Sequence, residues 1–560
     1  MRRRPCFGAV VLALALVLWP ARARPSQAAQ QPPITEPAPG AIDRIFAPVD
    51  RTSSPGCAVG VASRGRLVHL QGYGMANLEY GVPIRPLTVF EAGSVAKQVT
   101  AAAVVLLAQD GKLSLDDPVR THVPELPEFG APILVRHLLG HTSGLRSQWP
   151  MLTMAGRPPG LAVHSVAEIL ELAGRYRELN FKPGDEFLYN NTGYTLLGVI
   201  VARASGTSLE AFCQERLFRP LGMTRTRWRE DFSAVVEGRA TAYLQLPNGE
   251  HRTYMPFTNV IGNGGLLTTV GDLLLWNENL DHPRVGGQAM VDLLQTKGRL
   301  NDGSETEYGL GLYVQDYRGV REVSHGGTTA GYRAYLGRFP DDGLSVGILC
   351  NTLAADPSAY AHQIADLMLG PRLKKIPVAR KADVPDVVLQ RMAGYYLEKP
   401  TDLLLRLEWE PSARSLKIGG QLLVPVGDGE LLSSDGSRRF STGVGWSEGL
   451  PASRIVEKRG TGKHRTWDLQ GPFRPKPEAL AAYAGDYVSE ELDTRYLIAV
   501  AGNALELRFR PAQRAVLTPA CTDVFDKGGD TVRFTRGASG NVDGLLITTE
   551  RARRVKFVRQ

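Results

Sequence analysis

The chain has 560 residues, 43% hydrophobic and 22% charged, with a formal net charge of +8. That length exceeds what a single hydrophobic core serves, so two or three domains are expected. Five cysteines, widely scattered and without a C-x-x-C pair, exclude a disulfide scaffold.

The first element is a targeting signal. Arg2, Arg3 and Arg4 precede an apolar run from Phe7 to Trp19, and Ala21-Arg22-Ala23 and Ser26-Gln27-Ala28 are small-x-small cleavage candidates. The pattern predicts a signal peptide over 1–28 and an exported protein, periplasmic or extracellular. An uncleaved anchor is the lesser reading, because about 13 apolar residues span a bilayer poorly, and no internal run approaches the roughly 20 required. Cleavage after Ala28 removes Arg2, Arg3, Arg4, Arg22 and Arg24 and leaves a net charge of +3. That is weak support for a polyanionic partner, so no nucleic acid is expected. The one dense basic run, Arg551 to Arg559, alternates with Val and Phe and reads as a final strand. Export permits disulfides. Cys57 and Cys350 lie in strand-like runs that could be neighbours, but buried free thiols are the preferred reading of Cys57, Cys213, Cys350 and Cys521.

A Pro- and Gln-rich leader, Gln30 to Gly40, precedes a hairpin pattern in which two apolar runs between Cys57 and Gly74 flank "SRGR". Helical periodicity follows at 94–109, 133–139, 166–172, 192–204, 209–217 and 272–280. Beyond Tyr308 the period changes: "YGLGLYVQDY", "REVSHGG", "YRAYLGRFP" and "LSVGILCN" read as strands, before a helix from Pro357 to Leu369. Strands at both ends and helices between them predict one sheet with helices on its faces and a helical insertion, spanning 40–372. A basic, Pro-punctuated linker, "PRLKKIPVARKADVPD", then gives way to strand and turn patterns with a weak repeat. "RMAGYYLEK" resembles "AYAGDYVSE", and Tyr396 matches Tyr487. Two tandem antiparallel β domains are predicted, at 387–470 and 476–560.

Three short segments carry chemistry. In "EAGSVAKQVT", Ser94 and Lys97 stand at i and i+3 on a predicted helix, with Cβ atoms ~5–6 Å apart. Val99, Val104, Val105 and Leu106 mark the helix as buried, and a lysine among apolar groups has its pKa lowered, so a neutral amine that can take a proton becomes accessible. An N-cap serine with a solvent-facing lysine is the structural alternative, and about one Ser-x-x-Lys is expected by chance in a chain this long. In "FLYNNTGYTLLG", Tyr189 could relay a proton and Asn191 could orient a carbonyl or the lysine; a turn with an Asn cap is the alternative. In "EVSHGGTTAGY", His325-Gly326-Gly327 ends a strand before a turn, where glycines admit close approach of a substrate backbone and the next N–H can face an oxyanion. A plain Gly hairpin is the alternative there.

In that order, Ser94-Val-Ala-Lys97, Tyr189-Asn-Asn191 and His325-Gly-Gly327 resemble the three motifs of the serine beta-lactamase and penicillin-recognising superfamily, in its class C branch with related peptidases and esterases. "LLGHTSGL", "KPGDEFLYNNTGYTLLG", "PLGMTRT" and "GNGGLLTTVGDL" resemble the same branch, over roughly residues 45–370. The resemblance implies an α/β beta-lactamase/transpeptidase-like sandwich with a helical subdomain. It further implies Ser94 as acylated nucleophile, Lys97 and Tyr189 sharing the proton traffic, Asn191 holding substrate, and the N–H groups of Ser94 and Thr328 as oxyanion hole. His325 departs from the Lys-Thr-Gly of class C beta-lactamases, which carries a permanent charge for a beta-lactam carboxylate, and so favours the esterase and peptidase relatives. Some D-aminopeptidases of the family carry two eight-stranded lipocalin-like barrels, a plan similar to the tandem repeat here.

Other signals are weaker. "GWSEG" matches a nucleophile elbow, but a helix should follow and Pro451 with a strand pattern follows instead. His137 and His141 lack the glutamate of a zinc helix, and no metal or organic cofactor is expected. The expectation is an exported serine hydrolase using an acyl-enzyme, acting on small or D-amino-acid-containing peptides. The alternatives are an esterase, a beta-lactamase, or a slowly deacylating penicillin-binding sensor.

Overall fold

The computed structural model describes residues 34–560 except 376–379, 435, 437, 444, 447–452, 460–463 and 511–512. The predicted signal peptide and Ser447 of "GWSEG" lie outside the described residues. A six-stranded antiparallel sheet organises the first domain. Its strands are β1 (Cys57–Ser63), β2 (Arg66–Tyr73), β3 (Tyr313–Tyr317), β4 (Val320–Thr329), β5 (Tyr332–Phe339) and β6 (Leu344–Cys350). They lie in the order β3-β4-β5-β6-β1-β2, so the two ends of the domain meet where β1 pairs with β6. Arg64 and Gly65, at φ 49° and 72°, make the tight turn of the β1–β2 hairpin.

Alternation along β1 assigns its faces. Cys57, Val59 and Val61 join a core with Ala361, Ile364, Ala365 and Met368 of the helix Pro357–Leu369. The other face receives the helix Val270–Asp281. Gly60 and Gly347, cross-strand partners, face Val270 there. A Cβ on Gly60 would come within 2.8 Å of Leu274. Both faces are therefore covered by helix, and glycine sets how closely one of them packs.

Most predicted helices form at their predicted places. Helices that the sequence periodicity did not single out include Gln148–Met154 and Gly287–Gln295. The predicted 209–217 helix is interrupted, with Leu209–Cys213 passing into a π-type turn at Gln214–Phe218. Among the described residues no single helix is long and apolar enough to cross a membrane. The cysteine expectation needs correction. Cys57 and Cys350 sit directly opposite in β1 and β6 and form a disulfide, because the register that pairs the chain ends places them face to face. Cys213 and Cys521 are free, and Cys213 is buried.

The C-terminal third forms two closed eight-stranded antiparallel barrels, from Gly394 to Leu469 and from Gly485 to Arg559. The repeat has a physical basis. Tyr396 and Tyr487 are both fully buried, and each hydroxyl donates to a carbonyl four residues earlier, that of Met392 at 3.0 Å and Tyr483 at 2.7 Å. A buried phenol needs an acceptor, and each barrel supplies the same one. The second barrel is docked on the first domain. Arg146, 1% exposed, is paired with Glu491, and its guanidinium also donates to the carbonyls of Arg553 and Arg554. Arg553 in turn pairs with Glu186 at 2.7 Å.

Candidate active site

Ser94 stands in a 3-10 turn, Gly93–Val95, that leads directly into α1 (Ala96–Gln109). Nearly every side chain of α1 is buried, Lys97 completely. Gly93, at φ 52°, is needed here: a Cβ would lie 2.7 Å from the Thr328 nitrogen. The nucleophile turn is thus pressed against β4. Gly327 is needed from the other side, since its Cβ would lie 2.0 Å from the Ala92 carbonyl oxygen. Gly326 is not so constrained, with no neighbour closer than 3.9 Å to an added Cβ. The reading of His325-Gly-Gly327 as a strand end is corrected. β4 continues through Thr329, and the glycines serve close packing within the strand.

Lys97 has three polar neighbours: the Ser94 hydroxyl at 3.0 Å, the Asn191 amide oxygen at 3.0 Å and the Asn263 carbonyl at 2.6 Å. Burial, reinforced by the positive charge of Arg551, holds its pKa well below the ordinary lysine value. A neutral amine has two N–H donors and one lone pair. Two of its neighbours only accept, and the third is a hydroxyl. With the amine neutral, the donors serve Asn191 and Asn263 and the lone pair faces the Ser94 hydroxyl. This is the arrangement of a general base on a nucleophile.

Tyr189 and Asn191 flank the start of α2 (Asn191–Ser205). The capping role falls to Asn190, whose side chain accepts from the Gly193 N–H at 2.8 Å, which frees Asn191 for Lys97. The Tyr189 ring lies 4.8 Å from the Lys97 nitrogen. Its hydroxyl is buried, with the Ser94 hydroxyl near it but no partner at hydrogen-bonding geometry among the described residues; burial raises its pKa and Ser94 opposes. Tyr189 is therefore a neutral phenol, able to hand on a proton but not to serve as a standing base.

His325 is 3% exposed, and burial with the nearby Lys97 pushes its pKa down to about 3. Its Nδ1 faces the Gly326 carbonyl at 2.6 Å and its Nε2 the Tyr308 hydroxyl at 3.2 Å. The neutral tautomer with hydrogen on Nδ1 satisfies both, donating to the carbonyl and accepting from the phenol. The third motif thus carries no cation.

All of the predicted site residues except buried Lys97 and Gly327 line one cavity of about 570 Å³, namely Ser94, Tyr189, Asn191, His325, Gly326 and Thr328. Lys97 reaches Ser94 from behind it, and Gly327 stands between His325 and Thr328 in β4. Trp149, Tyr254, Met255, Pro256, Phe257 and Val260 give the cavity an apolar wall.

Sequence reasoning missed four contributors. Asn263 offers a backbone carbonyl, for which side-chain chemistry gives no signal. The glycines around it were the available clue: Gly262 and Gly265 have φ 91° and 84°. His141, set aside as a zinc ligand from the sequence, packs 4.3 Å from the Tyr189 ring and accepts from the Asn190 N–H at 3.1 Å. Tyr308 holds His325. Arg551, read only as part of a final strand, sits in the turn before the strand Ala552–Arg559, with its guanidinium 5.0 Å from the Tyr189 ring. His137 has a separate task, accepting from the Leu134 N–H. Among the described residues no cluster of three His, Cys, Asp or Glu is placed to hold a metal.

Comparison with known proteins bears on the family and the fold. The beta-lactamase family profile matches residues 42–368. A D-aminopeptidase of Gluconobacter oxydans (strain 621H) is 28% identical over 449 residues, covering 79% of this chain and 81% of that protein. A D-aminopeptidase of Brucella anthropi is 26% identical over 542 residues, covering 90% and 95%. Among solved structures, the octameric penicillin-binding protein homologue from Pyrococcus abyssi superposes with a TM-score of 0.52 at 24% identity, covering 82% of this chain and 96% of its own. The D-amino acid amidase from Ochrobactrum anthropi SV3 does so with a TM-score of 0.51 at 24% identity, covering 60% and 97%. These two likenesses concern the fold. With the family profile spanning more than half of the residues, the chain belongs to the beta-lactamase family and is a serine hydrolase of its peptidase and esterase kind.

Proposed function

We propose that this protein is an exported amide hydrolase that works through an acyl-enzyme at Ser94, with short peptides bearing an N-terminal D-residue as substrates. The observation that carries the reading is the fully buried Lys97 amine, its pKa held well below the ordinary lysine value, 3.0 Å from the Ser94 hydroxyl. Lys97 takes the Ser94 proton as the oxygen attacks the scissile carbonyl. The N–H groups of Ser94 and Thr328 receive the developing oxyanion. Tyr189 passes a proton to the leaving nitrogen, the C–N bond breaks, and the amine departs. The Lys97 proton restores Tyr189; water then gives its proton to Lys97 as it attacks the Ser94 ester, and that proton returns to the Ser94 oxygen as the acid leaves.

The D-aminopeptidase relatives, similar along most of their length, support the substrate class. Neutral His325 disfavours beta-lactams, since the third motif offers their carboxylate no charge. Export is supported by the Cys57–Cys350 disulfide, a bond that persists in oxidising compartments, and by the Arg-led apolar N-terminus.

The test is a side-by-side panel of D- and L-amino acid p-nitroanilides, p-nitrophenyl esters and nitrocefin, with mass spectrometry of a fluorophosphonate adduct. Turnover of D-anilides with the adduct on Ser94 is expected. An adduct on another residue, or a burst without turnover, overturns the hydrolase reading; a preference for L-anilides overturns the D-residue.

A further inference from the structure

Arg551 enters the catalytic cavity from another domain. It occupies the two-residue turn between the strands Val542–Thr549 and Ala552–Arg559 of the second barrel. The turn is anchored. The Arg551 carbonyl accepts from the Ser147 N–H at 2.9 Å and from the Asn180 side chain at 3.3 Å. Next to it, the Arg553 N–H donates to Asn180 at 2.8 Å, and the Arg553 guanidinium is held by Glu186. The barrel therefore presents this one side chain at a fixed place.

Among the described residues, only two that line the cavity carry a formal charge, Glu91 and Arg551. Glu91 is already engaged by Arg229 at 2.9 Å and Arg239 at 3.5 Å. Arg551 has no carboxylate within ion-pair distance among the described residues, and the neighbouring Glu550 is turned to Arg459. The cavity thus holds one cation free to meet a ligand. Its position has a sense relative to the reaction. It stacks on the ring of Tyr189, the group that hands a proton to the leaving nitrogen, so it lies toward the leaving-group side.

We propose that Arg551 binds the free carboxylate of the leaving amino acid, which makes the preferred substrate a dipeptide-length chain ending one residue after the scissile bond. A planar guanidinium suits this role, since its two parallel N–H groups match a carboxylate. The third-motif histidine is neutral, so the barrel supplies the anion-binding charge that β4 lacks. This inference rests on the hydrolase reading above and narrows its substrate.

The experiment compares kcat/KM for D-alanyl-glycine and D-alanyl-glycinamide by mass-spectrometric release of the product amine. The free dipeptide should be preferred by about tenfold or more, the size of one charge-assisted hydrogen bond. In Arg551→Ala the ratio should fall close to one, and in Arg551→Lys it should lie between. A ratio cancels any general loss of activity. Should the alanine variant not fold, N-acetylglycine should still inhibit the wild-type enzyme about tenfold more strongly than N-acetylglycinamide. Turnover of both peptides at equal kcat/KM, or an unchanged ratio in Arg551→Ala, overturns the carboxylate assignment and leaves the hydrolase standing. Absence of turnover on both, with no Ser94 adduct, removes the hydrolase reading itself.

Discussion

Gly327→Ala and Gly326→Ala form a matched pair of perturbations. They add the same methyl group at adjacent positions of β4. At Gly327 the new Cβ would meet the Ala92 carbonyl oxygen at 2.0 Å, and this oxygen belongs to the backbone just before the nucleophile turn. A side chain could yield, but a main-chain carbonyl between buried strands cannot. The cost should therefore reach or exceed the upper end of ordinary overpacking, about 3 kcal/mol. Relief requires β4 to move away from residues 92–94, which separates the Thr328 N–H from that of Ser94. Loss of one oxyanion-hole donor costs about 10²–10³ in kcat. At Gly326 the nearest atoms are 3.9 and 4.0 Å away, so the same methyl makes only ordinary van der Waals contact and should leave the melting temperature near that of the wild type. Thermal denaturation and kcat on a D-amino acid p-nitroanilide test both. A Gly327→Ala enzyme as stable and active as the wild type, or a Gly326→Ala enzyme that is the less stable of the two, would refute the claim that close packing of β4 on the nucleophile turn sets the oxyanion hole.

Activity should rise with pH through the depressed pKa of Lys97, because only the neutral amine accepts the Ser94 proton. Arg551→Ala removes a repelling charge, so the acid limb of the kcat/KM profile should move to higher pH; movement to lower pH contradicts the base assignment. His325 contributes to acid sensitivity. The unfolded chain takes up its proton below about pH 6.5, while the folded histidine refuses it until about 3, so stability should fall as pH drops across that window. The full effect is on the order of several kcal/mol, and His325→Gln should flatten the slope seen in denaturant melts. Removing the buried partner with Glu491→Ala leaves Arg146 only the exposed Glu178 at 3.7 Å and two backbone carbonyls, and should cost about 3 kcal/mol, read as an earlier unfolding transition. Reducing the Cys57–Cys350 bond, which closes a separation of 293 residues, should lower stability by about 2–5 kcal/mol; melting that does not respond to reductant would count against it.

Much of this protein was legible in its sequence because local physics writes it there. The 3.6 periodicity of residues 96–109 and the switch to strand patterning after Tyr308 follow from which faces are buried. The repeated Tyr396 and Tyr487 announce two alike barrels, since each phenol needs the same carbonyl behind it. Ser94, Lys97, Tyr189 and Asn191 were recognisable because hydroxyl, amine, phenol and amide side chains in that order are the groups the proposed chemistry needs. Tertiary structure alone decided the rest. Register made Cys57 and Cys350 partners where isolated thiols were the natural reading. Burial from every side, not helix spacing, depresses the Lys97 pKa. The Asn263 carbonyl has no side-chain signature, and the difference between Gly326 and Gly327 lies in what stands across from each. Arg551 is more than 350 residues from Tyr189 in the chain and looks like one arginine in a basic strand; docking of the barrel places its charge in the cavity. Sequence determines which groups exist and how each segment folds, whereas proximity between distant segments, and the electrostatics that follow from it, arises only when the domains close on one another.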